Sequence, residues 1–162
     1  MEMTGNERIP ASRAAVYAAL NDPEILKKSL PGCTELTKTS DTEFNAIIVI
    51  KMGPIKATFN MTGTLSDLDP PNGYTIRGEG KGGVAGFAKG GANVRLEDDG
   101  DATLLSYDVK ADVGGKFAQL GARLINSTAM KFSSDFFGNF SRAVSGEQAE
   151  SIAAKDTGTP AS

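Results

Sequence analysis

Histidine and tryptophan are absent from this 162-residue chain, and cysteine occurs once, at Cys33. Without histidine there is no Ser-His-Asp or Cys-His catalytic unit and no imidazole metal site. A single cysteine rules out an internal disulfide and fits a reducing compartment. Long apolar runs are missing too: none approaches the ~18 residues of a membrane-spanning helix. No charge of one sign dominates. Seventeen Lys and Arg stand against 20 Asp and Glu, for a net charge of −3, so nothing global attracts nucleic acid. The basic residues look scattered, Lys27-Lys28 being the only adjacent pair. The first ten residues, MEMTGNERIP, are polar and do not read as a signal peptide. These absences lead to the expectation of a cytoplasmic protein, at most peripheral to the membrane, with no metal site.

What is present suits one globular core: 40% hydrophobic and 23% charged residues in a single-domain length. Residues 1–9 read as a strand ending at Pro10. Ser12 is placed to cap a helix RAAVYAAL, with Val16, Ala19 and Leu20 on one side. Asn21-Asp22-Pro23 breaks it and starts a second short helix, PEILKKSL, which stops at Pro31-Gly32.

The next eighty residues alternate with period two. Phe44, Ala46, Ile48 and Ile50 oppose Asn45, Ile47, Val49 and Lys51. After the turn signal Gly53-Pro54, Ile55, Ala57, Phe59, Met61 and Leu65 fall on one face and a run of Lys, Thr, Asn and Ser on the other. Such alternation means strands with one wet face. Further strands are expected at 74–80 and 92–97, then through Leu105, Tyr107, Val109, Ala111 and Val113, with turns at Asp69–Gly73 and Asp98–Asp101. After Gly114-Gly115 the period becomes helical. Phe117, Leu120, Leu124, Phe132, Phe136, Phe140 and Val144 predict one long helix to about Ser145. Residues 146–162 read as a polar, disordered tail.

An antiparallel sheet with one apolar face must cover it, and only the long helix is large enough. The expectation is an α+β fold of about six to seven strands curved around a C-terminal helix, with two short helices after the first strand. A stripe stepping by four residues drifts ~40° per step. The helix is therefore either buried on several sides, or its distal half meets a ligand, a partner or a membrane.

GEGKGGVAGFAKGG (residues 78–91) contains Gly-x-Gly-x-x-Gly, yet more strand follows instead of the helix that would bind a pyrophosphate. Glycines in strands mark curvature or close approach. They also remove side-chain volume, which favours an internal cavity. Arg77, Arg95 and Arg123 are singular charges, either solvent-exposed or, for one of them, holding a ligand carbonyl or carboxylate. Glu79 and Asp108 fall on faces read as wet. Cys33 lacks a histidine to activate it and reads as structural.

Several stretches in order, LNDPEIL, LPGC, MGPIKATF, LDPPNGY, GEGKGGVAGFAKG and VGGKFAQLGARLINSTAMKF followed by Phe136-Phe137, resemble the CoxG family associated with carbon monoxide dehydrogenase. That family lies within the START-like (SRPBCC) helix-grip superfamily, and the resemblance covers about residues 1–145. It implies a sheet gripping a helix around an apolar cavity. It also implies a non-catalytic accessory protein, with no cofactor of its own, for a molybdenum hydroxylase of the carbon monoxide dehydrogenase type. Such proteins are linked to recruiting the enzyme to the cytoplasmic membrane and to carrying a quinone.

On this reading the cavity holds a quinone- or lipid-like molecule. Its expected lining is Phe44, Ile48, Phe59, Met61, Ile76, Tyr107, Leu120, Leu124 and Phe132. Tyr107 could offer its hydroxyl to a quinone carbonyl. Phe87, Phe136, Phe137 and Phe140 are expected at a mouth or partner contact. Two alternatives stay open. A cyclase-type enzyme needs a titratable group inside the cavity. A ligand-free adaptor needs a filled core in place of a void of a few hundred cubic ångströms.

Overall fold

In the computed structural model the backbone is described for residues 1–156 and the side chains for residues 1–145. The chain opens with β1 (Glu2–Ile9), α1 (Arg13–Leu20), α2 (Pro23–Ser29) and β2 (Cys33–Ser40). A meander follows: β3 (Glu43–Met52), β4 (Ile55–Asp69), β5 (Gly73–Lys81), β6 (Phe87–Asp99) and β7 (Ala102–Gly114), with a single 3-10 turn at Gly83–Ala85. It ends in a four-residue helix, α3 (Lys116–Gln119), and the long α4 (Ala122–Asp156). All seven strands form one antiparallel sheet in the order β1-β7-β6-β5-β4-β3-β2, so the first strand pairs with the last.

Local chemistry sets the small elements. The Ser12 hydroxyl accepts a hydrogen bond from the Ala15 N–H at 3.2 Å, and the Asp22 carboxylate accepts one from the Glu24 N–H at 2.9 Å. Each satisfies an orphan donor of its helix. Pro23 occupies the first helical turn, where its missing N–H costs nothing. In β4 the expected alternation holds: Phe59 and Leu65 are buried while Lys56, Thr58, Asn60, Thr62 and Thr64 are exposed.

Two apolar clusters close the space between sheet and helix. At one end α1 and α2 supply Val16, Leu20 and Ile25, which meet Phe140 and Val144 of α4. Asn139 of α4 donates to the Ser29 carbonyl of α2 at 3.1 Å and fixes the two helices together. At the other end Met52, Phe59, Ala85 and Phe117 form a separate plug, against which Leu120 and Leu124 pack.

Three sequence expectations change. The strand placed at 92–97 starts five residues earlier, at Phe87, because the glycines after it do not break pairing: Gly90 and Gly91 stand in register with Gly78 and Arg77. The single long helix from Phe117 is interrupted at Leu120–Gly121. Gly121 takes φ +94, a left-handed conformation that ends α3 and re-aims the chain into α4. The helix then continues past Ser145 to Asp156, into the residues expected as a disordered tail. Residues 157–162 of that expected tail lie outside the described residues. As for the drifting stripe, successive parts of it meet different surroundings: Phe132, Phe136 and Phe137 line the space between sheet and helix. Leu124 meets the plug, and Phe140 and Val144 enter the α1–α2 cluster.

Candidate functional site

Between the two clusters lies a half-open chamber of about 370 Å³, floored by the inner face of the sheet and roofed by α4. Six consecutive strands reach it, through Leu36, Phe44, Met61, Ile76, Val94 and Tyr107. Strands this far apart in a flat sheet could not share one cavity, so the sheet wraps.

Its volume comes from missing side chains. Gly63 of β4 pairs with Gly78 of β5, which pairs with Gly90 of β6. Gly63 and Gly78 lie on the chamber floor, beneath α4; Gly90 continues the row in register but is not part of the lining, and a Cβ there would collide with the Lys110 carbonyl. A Cβ on Gly63 would come no closer than 3.6 Å to Ile76, and one on Gly78 no closer than 3.5 Å to the Thr62 carbonyl. Neither glycine has a φ that excludes other residues, so at both positions larger side chains fit the backbone and would occupy the chamber. Neighbouring glycines do a different job. Gly80 and Gly82 lie beneath Met61 and the Phe59 ring and leave no room for a Cβ.

The roof is an aromatic ladder. Tyr107 stacks on Phe137 with centroids 5.3 Å apart, Phe137 meets Phe136 edge-on at 5.0 Å, and Phe136 stacks on Phe140 at 5.7 Å. Such contacts are worth about 0.5–1.5 kcal/mol each beyond area burial. The Tyr107 hydroxyl rests over Gly5 of β1, whose lack of a side chain makes that placement possible.

Among the described lining residues there is no Asp, Glu, Lys, Arg or Cys. The residues with polar side chains along the lining are Ser133, Tyr74 and Tyr107; Thr62 borders it from the exposed face of β4. Burial, and secondarily the nearby Tyr17, pushes the Tyr74 hydroxyl far above the ordinary tyrosine value of 10.0, so it stays neutral. The charged candidates all lie elsewhere: Arg77, Glu79, Arg95, Asp108 and Arg123 are exposed. Cys33 is half-buried at the start of β2, and burial pushes its thiol up, with opposing effects from the Glu35 backbone and Lys27. A wider depression of about 1020 Å³ lies on the opposite face of the sheet, but it is open and lined by Arg77, Glu79, Lys89 and Lys110, a surface suited to water.

Of the residues the sequence assigns to the lining, the structure brings Phe44, Ile48, Met61, Ile76, Tyr107 and Phe132 together around the chamber. Phe59, Leu120 and Leu124 are not there. Phe59 is 1% exposed inside the plug, its ring 5.3 Å from Phe117, and both leucines pack on that plug because the break at Gly121 holds α3 against the end of the sheet. Of the expected mouth residues, Phe136 and Phe137 line the chamber. Phe140 is fully buried in the α1–α2 cluster, one turn beyond the cavity. Phe87 lies outside, 47% exposed, covering Gly114 on the adjacent strand. Sequence reading missed the leucines of the helical cap, Leu20, Leu26 and Leu30, which complete one wall. The spacing of Leu26 and Leu30, four apart on one helix face, was the available signal.

A family model, that of the CoxG component of carbon monoxide dehydrogenase, matches residues 5–145. Among solved structures, a conserved protein from Geobacillus kaustophilus is 27% identical. The match covers 90% of this chain and 95% of that one, with a TM-score of 0.84. A START superfamily protein from Mycobacterium smegmatis shares the fold at 12% identity, over 89% of this chain and 97% of its own, with a TM-score of 0.68. An aromatase/cyclase from Streptomyces does so at 11% identity, over 90% and 93%, with a TM-score of 0.62. No curated protein matches the sequence.

Proposed function

The chain belongs to the CoxG family of carbon monoxide dehydrogenase components, and from that premise we propose that it is a non-catalytic carrier of a hydrophobic, quinone- or lipid-like molecule. In this reading it serves a molybdenum hydroxylase of the carbon monoxide dehydrogenase type and couples that enzyme to the cytoplasmic membrane. The observation that carries the proposal is the chamber, an apolar void without any ionisable group other than tyrosine. Aromatic walls with a flexible Met among them suit a flat apolar ring. The 370 Å³ volume lies near the lower end of ordinary small-molecule sites, roughly 300–1,000 Å³. It suits a ring system with a short stretch of tail, the rest leaving through the open side. Acid–base chemistry is disfavoured because no carboxylate, amine or guanidinium faces the ligand.

The test is mass spectrometry of an organic extract from freshly purified protein, paired with tyrosine-emission quenching by added menaquinone or ubiquinone. A co-purifying isoprenoid and saturable quenching are expected. An empty extract together with unquenched emission would remove the reading.

A further inference from the structure

The turns and connections at the two ends of the sheet carry opposite charge. The β3–β4 turn, the β5–β6 connection and the β7–α3 junction meet at one end. There Met52, Phe59, Ala85 and Phe117 share one buried cluster, and the Gly86 and Gly115 backbones approach so closely that a Cβ on either would collide. Segments 51–56, 81–87 and 114–123 bring Lys51, Lys56, Lys81, Lys116 and Arg123 to this end and no acidic residue. All five are exposed, and none is in an ion pair among the described residues. At the other end, the turns at 40–43, 67–73 and 97–102 carry Asp41, Glu43, Asp67, Asp69, Glu97, Asp98, Asp99 and Asp101. Arg8 and Arg13 are tied down there by Asp99 and Asp98, at 3.0 and 3.1 Å.

The basic end also bears apolar side chains that the fold leaves in water. Val84 is 83% exposed and Phe87 47%. Val84 lies on the glycine-bounded β5–β6 connection and Phe87 opens β6 beside it, with the buried Ala85 between them.

We propose that this end docks on an anionic lipid bilayer. Val84 and Phe87 enter the headgroup region, and the five cations rest on lipid phosphates. The pattern favours lipid over an acidic protein on two grounds. The apolar side chains are separate protrusions from a tip, without the groove or clustered aromatic anchors of a protein interface. The cations come from three separate connections and form no ion pair among the described residues, which suits a plane of diffuse negative charge better than a fixed array of partners. The proposal deepens the membrane part of the reading above by naming the surface that makes contact, and it does not depend on which ligand the chamber holds.

The experiment is co-sedimentation of the full chain with vesicles of phosphatidylcholine alone or with added phosphatidylglycerol, at low and high salt. Binding to the phosphatidylglycerol vesicles, released by salt, is expected. Lys81→Gln and Lys116→Gln should each weaken it about fivefold, from ~1 kcal/mol per lysine near such a surface. Val84→Ser with Phe87→Ser should weaken it further. All four positions are exposed, and circular dichroism checks that the variants fold. Equal binding to both vesicle types, no binding, or binding unmoved by these variants overturns the proposal. So does capture on immobilised polyglutamate in place of phosphatidylglycerol. Quenching by menaquinone in detergent is read on the same variants and is expected at the wild-type level. A failed docking surface is thereby distinguished from a failed ligand reading.

Discussion

Gly78 decides how much of the chamber is empty. It sits mid-strand on the inner face with an ordinary φ, and a Cβ there would stand 3.5 Å from its nearest neighbour, the Thr62 carbonyl. A leucine there would keep the ladder and project into the void. Gly78→Leu is expected to fold with unchanged or higher stability, since a strand glycine carries an entropic cost, and to lose quinone quenching by tenfold or more. Thermal unfolding and a quinone titration read the two effects separately, and a folded variant that still binds normally would show that the ligand lies elsewhere. The sequence marks the glycines of residues 78–91 together and does not distinguish this one from the rest. Gly63, Gly78 and Gly90 belong to three strands, and only the register makes them a row. Tyr74 carries a different consequence. Its hydroxyl is raised first by burial and then by Tyr17, so the folded chain holds its proton where the unfolded chain releases it. The stability this contributes is complete below the ordinary value of 10.0 and is lost as pH rises through and beyond it. The melting temperature of the wild type should therefore fall more steeply above that pH than that of Tyr74→Phe. Parallel curves would mean that Tyr74 is not the group responsible.

Among the elements, those with a strong local signal were legible. The Ser12 cap, the Pro23 start and the alternation through β4 each have a local cause and were found where the sequence puts them. The edge strand β2 was not singled out, because CTELTKTS, with one neighbour and two register shifts, lacks a clean period. The break between α3 and α4 was illegible for a related reason. Phe117, Leu120 and Leu124 keep helical spacing across Gly121, and a lone glycine inside such a pattern reads as tolerated. Tertiary contact decides it: Phe117 is 3% exposed in the plug, and Leu120 and Leu124 pack on the same cluster from either side of the break. Their i, i+3, i+7 spacing would put all three on one face of a straight helix as well, so the apolar pattern carries no mark of the break that Gly121 makes. Gly121 has open space around it and φ +94, so Gly121→Ala meets no clash and carries backbone strain alone. It should cost about 1–2 kcal/mol, measured by urea unfolding. An unchanged midpoint with higher helicity would show that α3 and α4 can fuse and that the plug does not need the break.

At the scale of the molecule, three things lie in series: an acidic end closed by α1, α2 and the far part of α4, the chamber, and a basic end closed by α3. The overall charge of −3 conceals this polarity. The sequence conceals it as well, because each pole is gathered from hairpin turns far apart along the chain, and the lysines look scattered until alternate turns are known to share an end. The arrangement has an orientational consequence. A surface of negative potential attracts one pole and repels the other, so the long direction of the sheet should stand toward the bilayer with the Asp98–Asp101 turn pointing away. A polarity-sensitive fluorophore tests this directly. It is placed at Val84→Cys or at Gly100→Cys in a Cys33→Ser background, which removes the one native thiol. On addition of phosphatidylglycerol vesicles the emission at position 84 should shift to the blue, and that at position 100 should stay as in water. A shift at both positions, or at position 100 alone, would mean that charge does not set the orientation. The chamber would then have no preferred end toward the lipid.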